Sequence, residues 1–199
     1  MKKFVISVTI LCLLVGCLPI AACANTNTVD VTDPEVLARA VEEAYAVIVD
    51  EEGNIIDYLD VEASLVRENE NQRGTGTTYT LTYTARETKS DSGASDPVDG
   101  VTATGTITWN DIFGTTNLLV TVSGTWTFGD ESISERTVRY GAKDTQGYTL
   151  ASFTKNPTGD DFSYSPSNCT GYMFYLSTAA KINATGNYVR LYMQTSIFT

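Results

Sequence analysis

The clearest feature of the chain is a one-by-one alternation of apolar and polar residues that begins near residue 58. Three long runs have apolar residues, tyrosines or glycines at every second position and mostly Thr or Ser between them, at 79–85, 101–109 and 118–128. A period of two is typical of a strand that buries one face and leaves the other in water. The runs predict amphipathic antiparallel strands with Trp109 and Trp126 on the buried face. In the third run, Leu118 and Val120 are predicted to be buried as well.

Further strands are predicted along the rest of the chain. Apolar and β-branched segments separated by short polar turns lie at 133–140, 148–154, 171–182 and 188–198. Strands at this spacing, joined by short turns, are typical of a β-sandwich. Composition does not shift after residue 30, and no fixed-period repeat is present. We therefore expect one mainly β domain over 32–199, an antiparallel β-sandwich of about eight strands.

One N-terminal α-helix is predicted ahead of the strands. Asp33 can cap its first turn, with Pro34 at the first helical position. Apolar residues then recur at spacings of three and four, and we expect the helix to end near Ala46. After it, a glycine turn between 47–49 and 55–56 predicts a hairpin. The helix would pack its apolar stripe on one sheet or close one end of the sandwich.

The first 24 residues have the features of a signal peptide. A positive start at Lys2 and Lys3 is followed by an apolar run that is too short to cross a membrane comfortably. The small-x-small sequence Ala22-Cys23-Ala24 predicts cleavage after Ala24, which leaves a short tether over 25–31. We therefore expect an exported protein, either secreted or held at the cell surface.

The cysteines of this predicted leader indicate a second way in which the protein could be localised, through a lipid anchor. Cys17 and Cys23 each end a tetrad that resembles the bacterial lipoprotein motif, in which the cysteine is acylated and becomes the first residue. Cleavage before Cys23 leaves a polar tether, so free secretion and a lipid anchor both stay open. Loss of the leader leaves Cys169 without a partner for a disulfide. With no histidine to activate it, we expect Cys169 to be a half-buried small residue rather than a nucleophile.

Charge and composition narrow the classes of function. The chain has 13 Lys and Arg, 24 Asp and Glu and no His, for a net charge of -11 at pH 7. Without histidine it cannot use a Ser-His-Asp triad, a Cys-His pair or a His-ligated metal. The negative charge argues against nucleic acid as a partner, and contact with a membrane is expected only through the candidate lipid anchor. The expected partner is an extracellular or cell-wall ligand.

A polar loop at 89–100 contains the candidate metal ligands. Asp91, Asp96 and Asp99, with backbone carbonyls between them, supply the hard oxygen ligands that calcium prefers. Their spacing differs from that of an EF-hand, and no Glu closes the loop. The main expectation is therefore a solvated hairpin loop, with calcium binding as the alternative. No other cofactor is predicted.

Two kinds of side chain are candidates for contact with a ligand. Carboxylates from which a glycosidase pair could be drawn are Asp111, Asp130, Glu131, Glu135, Asp160 and Asp161. Tyrosines that could stack on sugar rings, as in a carbohydrate-binding module, are Tyr148, Tyr164, Tyr172, Tyr175, Tyr188 and Tyr192. Because Tyr188 and Tyr192 share strand parity, we expect these aromatic side chains to fill the core more than to face a ligand.

The threonine-rich runs on either side of the polar loop suggest another class of function. The segments 79–87 and 101–109 nearly reach the length of about nine to eleven residues that a membrane barrel strand needs. Amphipathic hairpins of this kind are what β-pore-forming toxins insert into membranes. An ordinary sheet explains the same alternation with fewer assumptions.

Several short motifs occur together in the C-terminal half: Val122-Ser123-Gly124-Thr125-Trp126, Arg136, Tyr140-Gly141, Asn156-Pro157 and Phe162-Ser163-Tyr164. In this combination the chain resembles small secreted or lipid-anchored β-rich proteins of Gram-positive bacteria, known only as domains of unknown function. The resemblance implies an exported all-β protein and supplies no catalytic residues.

The features of the sequence favour non-catalytic binding through loops or a sheet face. No histidine, assembled nucleophile or metal-ligand cluster points to an enzyme. A carboxylate-dependent glycoside hydrolase or carbohydrate-binding module is one alternative. A β-pore-forming toxin-like protein is the other.

Overall fold

The protein is built from β-strands arranged in two antiparallel sheets. The structure is a computed structural model that describes residues 27–30, 44–69, 76–86, 100–112, 116–129 and 132–195. These residues contain thirteen strands and no helix. The prediction of a mainly β, antiparallel fold is confirmed, although the strands outnumber the eight or so that were expected.

The strands are numbered in chain order. They are β1 (Asn27–Asp30), β2 (Tyr45–Val49), β3 (Ile55–Tyr58), β4 (Asp60–Asn69), β5 (Thr77–Arg86), β6 (Val101–Ile112), β7 (Thr116–Phe128), β8 (Ile133–Lys143), β9 (Thr149–Lys155), β10 (Asp161–Tyr164), β11 (Thr170–Gly171), β12 (Met173–Ile182) and β13 (Tyr188–Gln194). One sheet has seven strands in the order β1-β4-β5-β6-β7-β10, with β11 also paired to β7. The other has six strands in the order β3-β2-β13-β12-β8-β9.

The two sheets bury their apolar faces against each other in a sandwich-like arrangement. The buried cluster draws Trp109 and Tyr83 from the seven-stranded sheet and Phe174 and Leu191 from the six-stranded sheet. The sheets touch closely at Gly105 of β6, where an added Cβ would lie 2.8 Å from the sulfur of Met193. Burial of alternate residues on each strand is the main source of stability in such a fold.

The buried face of β7 differs from the prediction because of a β-bulge. The β6–β7 register shifts between Thr108 and Trp109, which pair with Thr121 and Leu119. Val120 is the extra residue, and a bulge reverses the side-chain parity beyond it. Leu119 is therefore buried, whereas Leu118 and Val120 are only partly buried. The prediction that Leu118 and Val120 face the core is wrong.

The predicted helix cannot extend to Ala46. Tyr45 and Ala46 begin strand β2, which pairs with β13 on one side and with β3 on the other. The predicted hairpin between 47–49 and 55–56 is confirmed as β2–β3. Residues 31–43, where most of the helix was placed, lie outside the described residues. Within the described ranges, no helix is long and apolar enough to cross a membrane.

One core position carries a hydroxyl that makes no hydrogen bond. Thr178 of β12 is 2% exposed, and its Oγ1 has no hydrogen-bond partner among the described residues. A buried unpaired hydroxyl costs about 1–3 kcal/mol. We expect Thr178→Val, which keeps the shape, to stabilise the fold by about 1 kcal/mol and to raise Tm by about 2–4 °C. Thr178→Ser, which keeps the hydroxyl and loses a methyl group, should lower Tm; a Val variant no more stable than the parent chain would contradict the assignment.

Candidate functional site

The outer face of the six-stranded sheet collects aromatic and cationic side chains. On β13, Val189, Leu191 and Met193 are buried in the core, so the residues between them point outward. We call this surface the tyrosine–arginine face, defined by Tyr45 of β2, Arg139 of β8, and Tyr188, Arg190 and Tyr192 of β13. It faces away from the core between the sheets.

Strand register brings four of these residues into two neighbouring rows, and Tyr188 lies in a third row beside Lys181 of β12. One row runs across four strands through Tyr45, Tyr192, Ser177 and Arg139. The next runs through Val47, Arg190, Ala179 and Thr137. Ser177 and Ala179 of β12 are small, so they form a low floor between the larger side chains of β13 and β8. The result is an open depression of about 910 Å³, bordered on the β8 side by residues 156–158. Its size lies within the range of about 300–1,000 Å³ that is usual for ligand pockets.

The ring of Tyr192 is fixed by several contacts. It stacks on Tyr45 with ring centroids 5.4 Å apart and an angle of 20° between the planes. Its hydroxyl donates to Oε1 of Gln194 at 2.7 Å and accepts from Nζ of Lys143 at 3.1 Å. That ammonium also donates to Gln194 Oε1 at 2.6 Å and lies 5.4 Å from the ring centroid of Tyr175. The aromatic surface is thus held in place before any ligand arrives, which lowers the entropic cost of binding.

Tyr188 is held by a second set of contacts at the other end of the face. Its hydroxyl donates to Oε2 of Glu135 at 2.5 Å, and Nζ of Lys181 lies 5.5 Å from its ring centroid. Lys181 also pairs with Glu51 at 2.9 Å and with Glu135 at 3.5 Å. Glu135 has a positive φ of 46° at the point where the β8–β12 register shifts, which places its carboxylate beside Tyr188.

These contacts lower the pKa of the carboxyl group and raise the pKa of its two partners. The hydrogen bond from Tyr188, together with the charge of Lys181, lowers the pKa of Glu135 below its ordinary value. The same hydrogen bond raises the pKa of Tyr188, and the hydrogen bond to Glu51 raises the pKa of Lys181. Glu135 therefore stays ionised and Lys181 stays charged at neutral pH. A general acid in glycoside hydrolysis needs the opposite, a carboxyl group with a raised pKa.

The arginines of the face differ in their pairing. Arg139 and Arg190 are exposed, and neither makes an ion pair or a hydrogen bond with any residue in the described ranges. Arg136, at the edge of the same depression, pairs with Asp160, and its side chain is only 13% exposed. Two uncompensated guanidinium groups on a chain of net charge -11 make this surface locally positive.

Two of the carboxylates named from the sequence lie at one site. Asp160 and Asp161 both line a second depression of about 490 Å³, where Asp160 pairs with Arg136, and Glu135 lies at the tyrosine–arginine face. Asp111 lies near the end of β6 in the other sheet. Asp130 and Glu131 lie outside the described residues. The two carboxylates that do share a contact, Glu51 and Glu135, are bridged by the ammonium of Lys181.

The prediction that the C-terminal tyrosines fill the core is wrong for five of the six, whereas Tyr164 packs against the edge of the core. None of the six is buried: Tyr148 and Tyr172 are exposed, and Tyr164, Tyr175, Tyr188 and Tyr192 are half-buried. The prediction that Tyr188 and Tyr192 share strand parity is confirmed, but the apolar residues of the opposite parity are the ones buried in the core. The sequence Tyr-Val-Arg-Leu-Tyr-Met-Gln carried that signal, because Arg190 shares parity with both tyrosines. Tyr45 was missed because it was assigned to the helix.

The remaining predicted sites are divided between described and undescribed parts of the chain. Asp91, Asp96 and Asp99 lie outside the described residues, as do Cys17, Cys23 and Ala24. Within the described ranges, no three Cys, Asp or Glu side chains are grouped so that they could hold a metal ion. Cys169 is buried rather than half-buried, and its burial raises the pKa of its thiol. A buried, protonated thiol is a weak nucleophile.

The threonine-rich runs form the centre of the seven-stranded sheet. β5 pairs with β4 and β6, and β6 pairs in turn with β7. Threonines that face each other on the outer side form hydrogen bonds between their hydroxyl groups. The two Oγ1 atoms are 3.3 Å apart in the pair Thr80 and Thr108, and 3.2 Å apart in the pair Thr82 and Thr106. Release of β5–β6 as a hairpin would break backbone ladders on both outer sides of the pair.

Comparison with known proteins adds no family to these observations. No protein-family model matches the chain, and neither a curated protein nor a solved structure matches it.

Proposed function

We propose that this chain is an exported bacterial protein, secreted or lipid-anchored, whose β-sandwich binds a polysaccharide through the tyrosine–arginine face. The observation that carries the proposal is the placement, on one sheet face, of three tyrosine side chains and of two arginines that have no partner in the described ranges, beside a floor of small residues. Aromatic rings stack on the apolar faces of sugar rings, and guanidinium groups donate hydrogen bonds to ligand oxygens. The leader sequence would deliver such a domain to extracellular or cell-wall glycans.

The proposal is for binding without catalysis. The carboxylate nearest the face, Glu135, has its pKa lowered, and it is already engaged by Tyr188 and Lys181. Glu51 contacts the same ammonium. A hydrolase site would need a carboxyl group free to deliver a proton and a second one facing it across the sugar. Membrane insertion is not favoured either, because the threonine-rich strands are central in their sheet.

The test is loss of glycan binding when one aromatic ring is removed. We expect the protein to retain polysaccharides on a glycan array, and we expect Tyr192→Ala to weaken the affinity about twofold to tenfold, as the loss of one stacking contact implies. Tyr148→Ala, which removes a tyrosine that is 68% exposed and lies just before β9, is the matched control and should bind normally. Affinities can be measured by calorimetry on the best array hit.

Two outcomes would contradict the proposal. Equal loss of binding in both tyrosine variants, or no retention of any glycan, would remove the tyrosine–arginine face as a carbohydrate site. Release of new reducing ends from the bound glycan, abolished by Glu135→Gln, would replace binding with hydrolysis.

A further inference from the structure

We propose that the ligand of the tyrosine–arginine face is an acidic polysaccharide whose sugar rings carry carboxylate groups. This inference rests on the proposed function and narrows it to one chemical class. The support for an acidic ligand has three parts: positive charge that has no acidic partner in the described protein, the position of that charge relative to the aromatic rings, and the spacing of the two arginines.

The first part is the uncompensated charge. Arg139 and Arg190 have no acidic partner in the described ranges. Nearby Lys143 is held by neutral groups alone, the amide oxygen of Gln194 and the hydroxyl of Tyr192. The chain carries 24 acidic residues against 13 basic ones, so three cations without carboxylate partners on one surface form a local exception. Such a surface attracts anions and repels other acidic surfaces.

The second part is the position of the cations beside flat aromatic surfaces. Arg139 lies in the same cross-strand row as Tyr45 and Tyr192, and Arg190 lies between Tyr188 and Tyr192 on β13. A guanidinium group matches a carboxylate through two parallel hydrogen bonds. A uronic acid offers both a ring face and a carboxylate on the same unit. A linear polyol phosphate offers the anion but has no ring to stack, which is why we favour the carboxylate-bearing sugar.

The third part is the spacing. Arg190 and Arg139 are two strands apart, which is about 10 Å across the sheet, with Ser177 and Ala179 on the strand between them. Two positive groups set apart along an open depression suit a polymer with repeated charges better than one small anion, because the two contacts reinforce each other.

The experiment compares one polymer in charged and neutral forms. Polygalacturonate and its fully methyl-esterified form are offered to the full mature chain at low and high salt. We expect the charged form to bind at least about tenfold more tightly than the esterified form. Its affinity should fall as NaCl rises from 50 to 500 mM, because salt screens the attraction between exposed charges. Replacement of both arginines, Arg139→Gln with Arg190→Gln, should reduce affinity for the charged form at least about tenfold, which is the usual size of a lost charge-assisted contact.

A charge-matched control separates the face from net charge. Arg67→Gln with Arg86→Gln removes two exposed positive charges from the seven-stranded sheet instead. This pair should bind polygalacturonate within about twofold of the parent chain at the same salt. Because Arg139 and Arg190 have no partners in the described protein, their glutamine variants should keep the parent Tm, which rules out loss of binding through unfolding.

The outcomes distinguish this inference from the proposed function. Binding of the esterified and charged polymers with equal affinity, sensitive to Tyr192→Ala but not to the arginine pair, would overturn the acidic ligand and leave polysaccharide binding in place. Equal loss in the two arginine pairs would also overturn it, since net charge alone would then account for binding. Failure of every glycan to bind would remove both.

Discussion

Gly124→Ala is expected to destabilise the protein by about 3 kcal/mol or more, at the upper end of the cost of overpacking. Gly124 lies on β7 between β6 and β10, and a Cβ there would be 2.2 Å from the carbonyl oxygen of Thr104 and 2.7 Å from the ring of Phe162. The oxygen belongs to the backbone of the neighbouring strand, so the strands must separate to make room. For a chain of this size the Tm should fall by about 6–12 °C.

Two other glycines provide a graded comparison. Gly105→Ala would meet the flexible side chain of Met193 at 2.8 Å, which can move, so about 1–2 kcal/mol is expected. Gly159→Ala would meet nothing closer than 3.5 Å and should change stability by less than about 0.5 kcal/mol. Urea unfolding of the three variants gives the order directly. If Gly124→Ala proved as mild as Gly159→Ala, the close approach of β6 to β7 at this point would be refuted.

Trp109→Ala is expected to cost about 3–5 kcal/mol, because it removes the largest fully buried side chain. Trp109 is 1% exposed and stacks on Tyr79 with ring centroids 5.4 Å apart. It also lies beside the β-bulge, where it pairs with Leu119. The cavity left behind cannot collapse easily, since strands of both sheets surround it and are held by backbone ladders.

Two control variants accompany Trp109→Ala: Trp109→Phe at the same position and Tyr148→Ala at an exposed position. Phenylalanine keeps an aromatic ring and should recover part of the loss, whereas Tyr148→Ala removes an exposed ring and should cost less than about 0.5 kcal/mol. Thermal unfolding followed by circular dichroism measures all three. A Trp109→Ala variant within about 1 kcal/mol of the parent chain would place Trp109 outside the core.

The strands that were predicted best are those whose alternation is regular along the chain. β5 and β6 cover their predicted segments, and β12 covers the predicted segment 171–182 except for its first two residues, because side chains alternate across a strand wherever the backbone is extended. β4 had no predicted bounds of its own, since its exposed residues include Glu62 and Glu68 and its apolar positions are interrupted by Arg67. For β7 the alternation gave the wrong buried face. Val120 is an extra residue in the β6–β7 pairing, and the reversal of side-chain parity that it causes is visible only in that pairing.

Only some components of the candidate site, and not their arrangement, were predicted from the sequence. The cluster of tyrosines was stated from the sequence, and binding was expected through loops or a sheet face, but the tyrosines were assigned to the core. Arg139 and Arg190 were not named at all, because neither stands in a run of basic residues: Arg190 is the one basic residue of β13, and uncharged residues separate Arg139 from the other basic residues of β8. Lys181 and Glu51 meet although they are 130 positions apart in the chain. Such a contact has no local signal.

The sequence alone determined the extended backbone and the antiparallel β class, and it predicts an export leader before residue 25. These properties follow from the order of neighbouring side chains, so they can be deduced without knowing which strands meet. Only the tertiary structure decided that β13 lies between β2 and β12, which brings Arg190 and Arg139 to opposite sides of Ser177 and Ala179. Strand order and register depend on how distant segments bury their apolar faces together, and that free energy is a property of the whole core.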